Sequence, residues 1–325
     1  MNNECEAEGV ALDKNPTHSP KTKKKKGFVL KKWLPFYIIL IPAVVIVFVF
    51  QYMPMQGILL AFKDFNPREG VFGSPWADFY GFGNFVELFK TPALSEAIWT
   101  TFYWNVINLA VNFPLPIILA FLLAEVKSKP FKTVTQTISY LPHFLSVAAV
   151  TGIVNALLNE YGLINTWLFQ LGYSKGQHLL ENSHAFLPTY VITNVWMGLG
   201  WSSILYVSAL SGVSQDLYEA AELDGASRFR RAISIALPSI APTIAINLIL
   251  KVGSVFDSSF DLVYGLQNPV GWTQEVIATA VYKFGIGRGE YSVASALNLF
   301  QGVVAFCITM FANQISKKLS GISMW

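Results

Sequence analysis

Residues 214–242 read SQDLYEAAELDGASRFRRAISIALPSIAP, and this stretch decides the fold because it is a charged, helix-forming island in an otherwise membrane-like chain. Ser214 is placed to cap a helix, Asp216 falls in its first turn where the helix dipole favours negative charge, and Gly225 can take the left-handed geometry that ends it. A second helix is expected from Ser227. In it Phe229, Ala232, Ile233, Ala236 and Leu237 repeat at i, i+3, i+4, i+7 and i+8 as one apolar stripe, Arg228, Arg230 and Arg231 lie off that stripe, and Pro238 closes the helix. The product is a compact acidic-then-basic hairpin over 214–238. Read from its residues alone, it is either a lever for a soluble partner or an interfacial helix pair resting on lipid headgroups.

Working outward, the 325 residues are 53% hydrophobic and only 13% charged, which is too apolar for a soluble domain of this size and points to a polytopic all-α membrane protein. A net charge of +3 argues against a nucleic-acid partner. Residues 1–26 are polar and poor in aromatics and read as a disordered tail, leaving 27–325 as the membrane domain. The basic run Lys23 to Lys26, with Lys31 and Lys32, directly precedes the first apolar stretch and serves topology. That stretch mimics a signal peptide but is long and lacks a cleavage site, so it is expected to stay as the first span. Cys5 and Cys307 offer neither a disulfide framework nor metal-ligand spacing, and His18, His143, His178 and His184 form no cluster. No metal site is expected.

Six stretches are long enough to cross a bilayer, roughly 33–57, 98–123, 136–158, 186–211, 240–262 and 292–315. An even count puts both termini on one side. The Lys/Arg tally then decides which side, with sixteen on the face bearing the tail, the hairpin and the C-terminal end against six on the other. The positive-inside rule therefore sets the hairpin and both termini in the cytoplasm. No G-x-x-x-x-G-K-[ST] phosphate loop occurs, so any ATP chemistry must belong to a partner. Nor is there a Ser/His/Asp order or an H-E-x-x-H helix, so an enzyme is not expected.

Glu219, Ala220 and Ala221, followed by Asp224, Gly225 and Ala226 and then Ile235, Leu237 and Pro238, resemble the "EAA" signature of membrane subunits of ABC importers. The resemblance implies a type I importer arrangement of six transmembrane helices, in which this loop is the coupling helix that seats on a nucleotide-binding subunit, with Glu219 as docking acid and Gly225 as bend. It also implies the partners: a second homologous permease subunit, two ABC ATPase subunits that carry ATP and Mg, and an extracytoplasmic sugar-binding protein. This subunit itself would hold no cofactor. Between spans one and two, FKDFNP (62–67), GSPW (73–76) and GFGNF (81–85) resemble the same region in importer permeases for oligosaccharides and polysaccharide fragments, where such loops form part of the face used by the binding protein. As plain sequence, that loop also suits an aromatic belt at headgroup level.

Polar groups in hydrocarbon are costly, so their placement on spans points to a path. On the fifth, Asn247, Lys251, Ser254 and Ser258 fall within about 60 degrees of one another at roughly 100 degrees per residue, one polar stripe on an apolar helix. Placing Lys251 centrally costs about 3 kcal/mol, so it must face water, meet a ligand or pair with an acid such as Asp257 or Asp261. Asp257, six residues on, sits about 120 degrees round a continuous helix, which makes that pair poor. On the fourth span Asn194, Gly198 and Trp201 share a face; an amide, a gap and an aromatic plate suit a sugar ring, while ordinary interhelical packing around Gly198 remains open. On the second, Asn105, Asn108 and Asn112 share a face and Pro114 and Pro116 bend the helix, a pattern read as interhelical hydrogen bonding. In register, the fourth- and fifth-span positions resemble those contacting sugar in maltose-type permeases. Lys251 departs from the small neutral residue usual there, and hints at an acidic cargo such as a uronate oligosaccharide. A secondary transporter and a permease for another small solute are the alternatives.

Overall fold

The computed structural model describes residues 26–172, 180, 183–257, 259–267 and 275–320. Among them there is no strand, only one isolated antiparallel bridge between Lys63 and Trp76. The chain divides into two units, Met1–Gln56 and Gly57–Trp325, each described here by itself. In the first unit, helix α1 (Lys26–Val47) carries Pro35 and Pro42 and runs into a π turn at Phe48–Tyr52. Its side chains from Trp33 onward are exposed and almost all apolar, as a helix facing acyl chains requires. The expected tail falls outside the described residues except for Lys26.

The second unit opens with a 3-10 stretch to Phe62 and a small folded loop. Asn84 donates from Nδ2 to the carbonyls of Ala61 and Lys63, both at 3.1 Å, and the Lys63 ammonium donates to Phe72 O and Ser74 O at 2.9 and 3.0 Å while lying over the Trp76 ring. That loop is thus tied together by buried polar groups, with Tyr80 fully exposed at its tip. The helices that follow are α2 (Gly83–Lys90), α3 (Pro92–Asn112), α4 (Pro114–Glu125), α5 (Lys129–Tyr140), α6 (Val147–Leu158), α7 (Leu163–Gln170), α8 (Ser183–Ser211), α9 (Gln215–Leu223), α10 (Arg228–Gly253), α11 (Phe260–Leu266), α12 (Ile277–Val281) and α13 (Tyr291–Ser320). Three apolar clusters hold them: one around Leu88, Leu94, Ile277 and Leu297, one around Trp104, Phe186, Tyr190 and Val263, and one around Ala120, Tyr206, Ala236 and Ile240.

Among the described residues five helical stretches are long and apolar enough to cross a membrane: Trp33–Phe62, Pro92–Glu125, Val147–Gln170, Arg228–Gly253 and Tyr291–Lys318. The stretch expected at 186–211 lies in the 29-residue helix Ser183–Ser211 but is not among the five, since its serines, asparagine and threonines dilute it. Two boundaries are corrected. The third expected span, 136–158, is broken: Pro142 lacks a donor and sits in a 3-10 turn, and Ser146 starts a new helix by accepting from Ala149 N at 3.2 Å, so the apolar run is 147–170 instead. The fifth, 240–262, begins earlier and ends earlier. Pro238 does not close the hairpin's second helix, because a π turn at Ala232–Ala236 precedes it and the helix continues past both Pro238 and Pro242 to Gly253.

Candidate translocation cavity and coupling hairpin

Gly253 sits against α13: a Cβ placed on it would lie 2.3 Å from Thr309 Oγ1. Beyond it the backbone leaves the helix, Ser254 N still reaching Leu250 O at 3.3 Å and Ser254 Oγ donating to Lys251 O at 3.0 Å. The polar stripe expected along one unbroken helix is therefore cut short at Gly253, with Asn247 and Lys251 on the helix and Ser254 beyond it. Lys251 and Ser254 flank the point where the helix stops, and non-helical backbone at membrane depth is tolerated where it lines a wet cavity. That cavity is present, with a volume of about 360 Å³. Lys251, Ser254, Asp257 and Ser259 form its wall on this side, Asn194, Gly198 and Ser202 the wall on α8, and Asn105, Asn108 and Asn112 the wall on α3.

The site residues named from sequence divide accordingly. Asn194, Gly198, Lys251 and Ser254 are brought together. A Cβ on Gly198 would meet nothing within 4 Å, so this glycine opens the cavity; close packing on α8 belongs to Gly200, where a Cβ would lie 2.0 Å from Ser139 O. Asn247 is not brought in. Its Nδ2 donates to Tyr206 Oη at 2.5 Å and joins α10 to α8. Trp201 is also outside, stacked on His143 with centroids 4.5 Å apart and crossed by Phe144 at 5.9 Å; Ser202 takes the place expected for it. Ser258 lies outside the described residues. The asparagines of α3, read from sequence as interhelical glue, line the cavity, with Asn112 donating to Asn108 Oδ1 at 2.5 Å. Asp257 was missed because a continuous helix would have turned it away. Among the described residues Lys251 makes no ion pair, so neither Asp257 nor Asp261 neutralises it.

The hairpin is built as its sequence demands. Ser214 Oγ accepts from Asp216 N at 3.3 Å, and α9 ends with Ala226 N donating to Ala221 O at 2.9 Å and Gly225 N to Glu222 O at 3.0 Å, closed by Gly225 at φ +73°. Ser227 Oγ then accepts from Arg230 N at 3.3 Å to start α10. Arg231 binds Glu222 at 2.8 Å across the bend, and Arg228 approaches Glu125 at the end of α4 to 3.8 Å. Burial pushes the Tyr218 phenol above its ordinary range, and the Glu125 carboxylate adds to it. Glu219, Ala220, Asp224 and Gly225 are exposed, Ala221 half-buried. The expected apolar stripe turns inward only at Ala236, while Phe229 is 76% exposed.

A helical chain whose spans enclose a polar cavity at a broken helix, and which carries a capped charged hairpin, has the make-up of a membrane transport subunit. More particularly, residues 112–319 match the binding-protein-dependent transport system inner membrane component family, and the chain belongs to it. The polygalacturonan/rhamnogalacturonan transport system permease protein YteP of Bacillus subtilis (strain 168) is 37% identical over 304 residues, covering 92% of this chain and 93% of that protein. A crystal structure of a bacterial ABC transporter involved in the import of the acidic polysaccharide alginate contains a chain that superimposes with a TM-score of 0.81 at 34% identity, covering 90% of this chain and 99% of the other. The same holds for a bacterial alginate ABC transporter in complex with an alginate pentasaccharide-bound periplasmic protein, with a TM-score of 0.82, 33% identity and coverages of 92% and 99%. The resemblance to ABC carbohydrate importer permeases is thereby borne out, and the chain is an inner-membrane permease component.

Proposed function

We propose that this chain is one of two homologous permease subunits of an ATP-driven importer for an oligosaccharide that carries carboxylates. Lys251 carries the reading: it is an ammonium with no ion pair among the described residues, on the wall of a cavity furnished also with amides, hydroxyls and the Asp257 carboxylate. A carboxylate entering there offsets the cost of holding a cation at membrane depth, and amides from α3 and α8 supply donors and acceptors for sugar hydroxyls. The cargoes of the similar proteins, polygalacturonan or rhamnogalacturonan and alginate, agree with that chemistry. Six spans then cross the membrane, α8 being the sixth, with both termini cytoplasmic.

In this reading two ATPase subunits bind ATP and Mg, and their closure moves the hairpin seated on one of them. Glu219 is its docking acid; Gly225, Ala220, Ala221 and Asp224 shape the bend. Because α10 stays helical through its π turn from the hairpin to the cavity wall, motion at Arg228 is carried to Lys251 along one helix, and the cavity opens alternately to each side. An extracytoplasmic binding protein delivers the cargo, as the alginate complex supports.

A neutral oligosaccharide is the second reading, favoured by Asp257 on the same wall. The deciding measurement is cargo-stimulated ATPase of the reconstituted complex with trigalacturonate and with maltotriose. Lys251→Ala should raise the half-saturating trigalacturonate concentration at least about tenfold, the scale of one lost charge-assisted contact. An unchanged response to trigalacturonate sinks the acidic reading.

A further inference from the structure

A second cavity of about 350 Å³ adjoins the first, and nothing in the path described so far uses it. Ser259 lines one cavity and Phe260, the next residue, lines the other. Three aromatic rings line it, Phe260, Tyr282 and Tyr291, beside Val281 and Ile286; Phe260 and Tyr282 meet with centroids 5.2 Å apart, and Tyr264, outside the lining, stacks on Phe260 at 5.1 Å with planes 17° from parallel. Tyr282 and Tyr291 keep 38% and 41% of their surface open. The floor is small, formed by Gly285 and its neighbours; a Cβ on Gly285 would come within 3.0 Å of the Ala294 Cβ. Tyr282 and Gly285 lie in a π turn, Tyr282–Gly287, a distortion frequent at functional sites.

The rim is polar. Ser295 and the exposed Asn298 project from α13, one of the stretches able to span the membrane, and an amide there is poorly matched to acyl chains. Among the described residues no charged side chain lines this groove. Open aromatic faces beside hydroxyls and an amide, without charge, are the chemistry that holds a pyranose by its C–H face.

We propose that this aromatic groove is a second sugar subsite, which takes the part of an oligosaccharide that extends beyond the central cavity and binds it without regard to charge. The inference rests on the reading of the chain as an oligosaccharide permease and assigns Phe260, Tyr282 and Tyr291 as the residues that make it sensitive to cargo length. A disaccharide is held by the central cavity alone, whereas a longer chain gains the stacking contacts.

The test compares digalacturonate with pentagalacturonate in the ATPase assay of the whole reconstituted complex. Tyr282→Ala is expected to raise the half-saturating pentagalacturonate concentration about threefold to tenfold, the range of one aromatic stacking contact, and to leave digalacturonate within about twofold. Tyr282→Phe, which keeps the ring, should behave as the unaltered chain. Should Tyr282→Ala fail to assemble, Asn298→Leu on the exposed rim serves in its place and the same split by length is expected. An equal loss with both sugars would make the cluster a packing element and overturn the proposal; no change with either would make the groove an acyl-chain contact and overturn it too. Lys251→Ala acts on both lengths, so a length-dependent loss at Tyr282 with no effect at Lys251 retires the acidic cargo while leaving the groove in place.

Discussion

At Gly253 the chain cannot carry even a methyl group without meeting Thr309, and the consequence can be measured. Gly253→Ala places a carbon 2.3 Å from Thr309 Oγ1, and α13 must shift at its contact with the cavity wall. Overpacking of this kind costs about 1–3 kcal/mol, so the purified complex should lose thermal stability, and Thr309→Ala in the same chain should restore most of it because it removes the atom in the way. If the double variant is no more stable than the single one, the close approach is not what makes glycine necessary. Position by position, much of the site was legible beforehand. Asn194, Gly198 and Lys251 are polar or absent side chains where an apolar one is the default, and that signal survives any change in the path of the backbone. The helical angle, the side-chain chemistry and the register resemblance that point Trp201 and Asn247 to the path say nothing about which neighbour a face meets. Trp201 meets His143, and Asn247 meets Tyr206.

At the scale of the helix, the end of α10 at Gly253 explains both the success and the failure of the sequence reading. A continuous helix would have set Asp257 away from the stripe; the break brings it onto the cavity wall beside Ser254 and Ser259. Periodicity alone does not announce such a break, although the residues that follow, among them Ser254, Asp257 and Ser259, are more polar than those before. The same blindness hid the turn at Leu141–Phe144 inside the third expected span, although Pro142 marked it. Conversely, the hairpin's start and bend were legible almost to the residue, since Ser214, Gly225 and Ser227 are local signals whose meaning does not depend on tertiary contacts, whereas its end at Pro238 was not. With Asn247 outside the cavity, its bond to Tyr206 becomes a joint between α8 and α10. Asn247→Ala and Tyr206→Phe should therefore each destabilise the complex by about 1 kcal/mol, and together by less than the sum, while half-saturation by cargo stays put. Additive losses, or a cargo effect from Asn247→Ala alone, would return Asn247 to the path.

For the molecule as a whole, everything proposed about coupling depends on which side of the membrane the hairpin occupies, and that rests on the asymmetry of Lys and Arg between the two faces. Two exposed residues report the sides independently of transport. Leu223 is 90% exposed at the end of α9, and Tyr80 is fully exposed at the tip of the loop before α2. In a chain with Cys5→Ser and Cys307→Ser, Leu223→Cys should react with a membrane-impermeant maleimide only in inside-out vesicles, and Tyr80→Cys only in intact spheroplasts. Both labels must move together, because an even number of spans fixes the termini and the hairpin on one face and the Tyr80 loop on the other. Labelling of Leu223→Cys from outside would remove the hairpin from the ATP compartment and with it the mechanical route through α10. Labelling of both positions from one side would make the number of crossings between them even, which contradicts the arrangement of Pro92–Glu125, Val147–Gln170 and α8 as three successive spans.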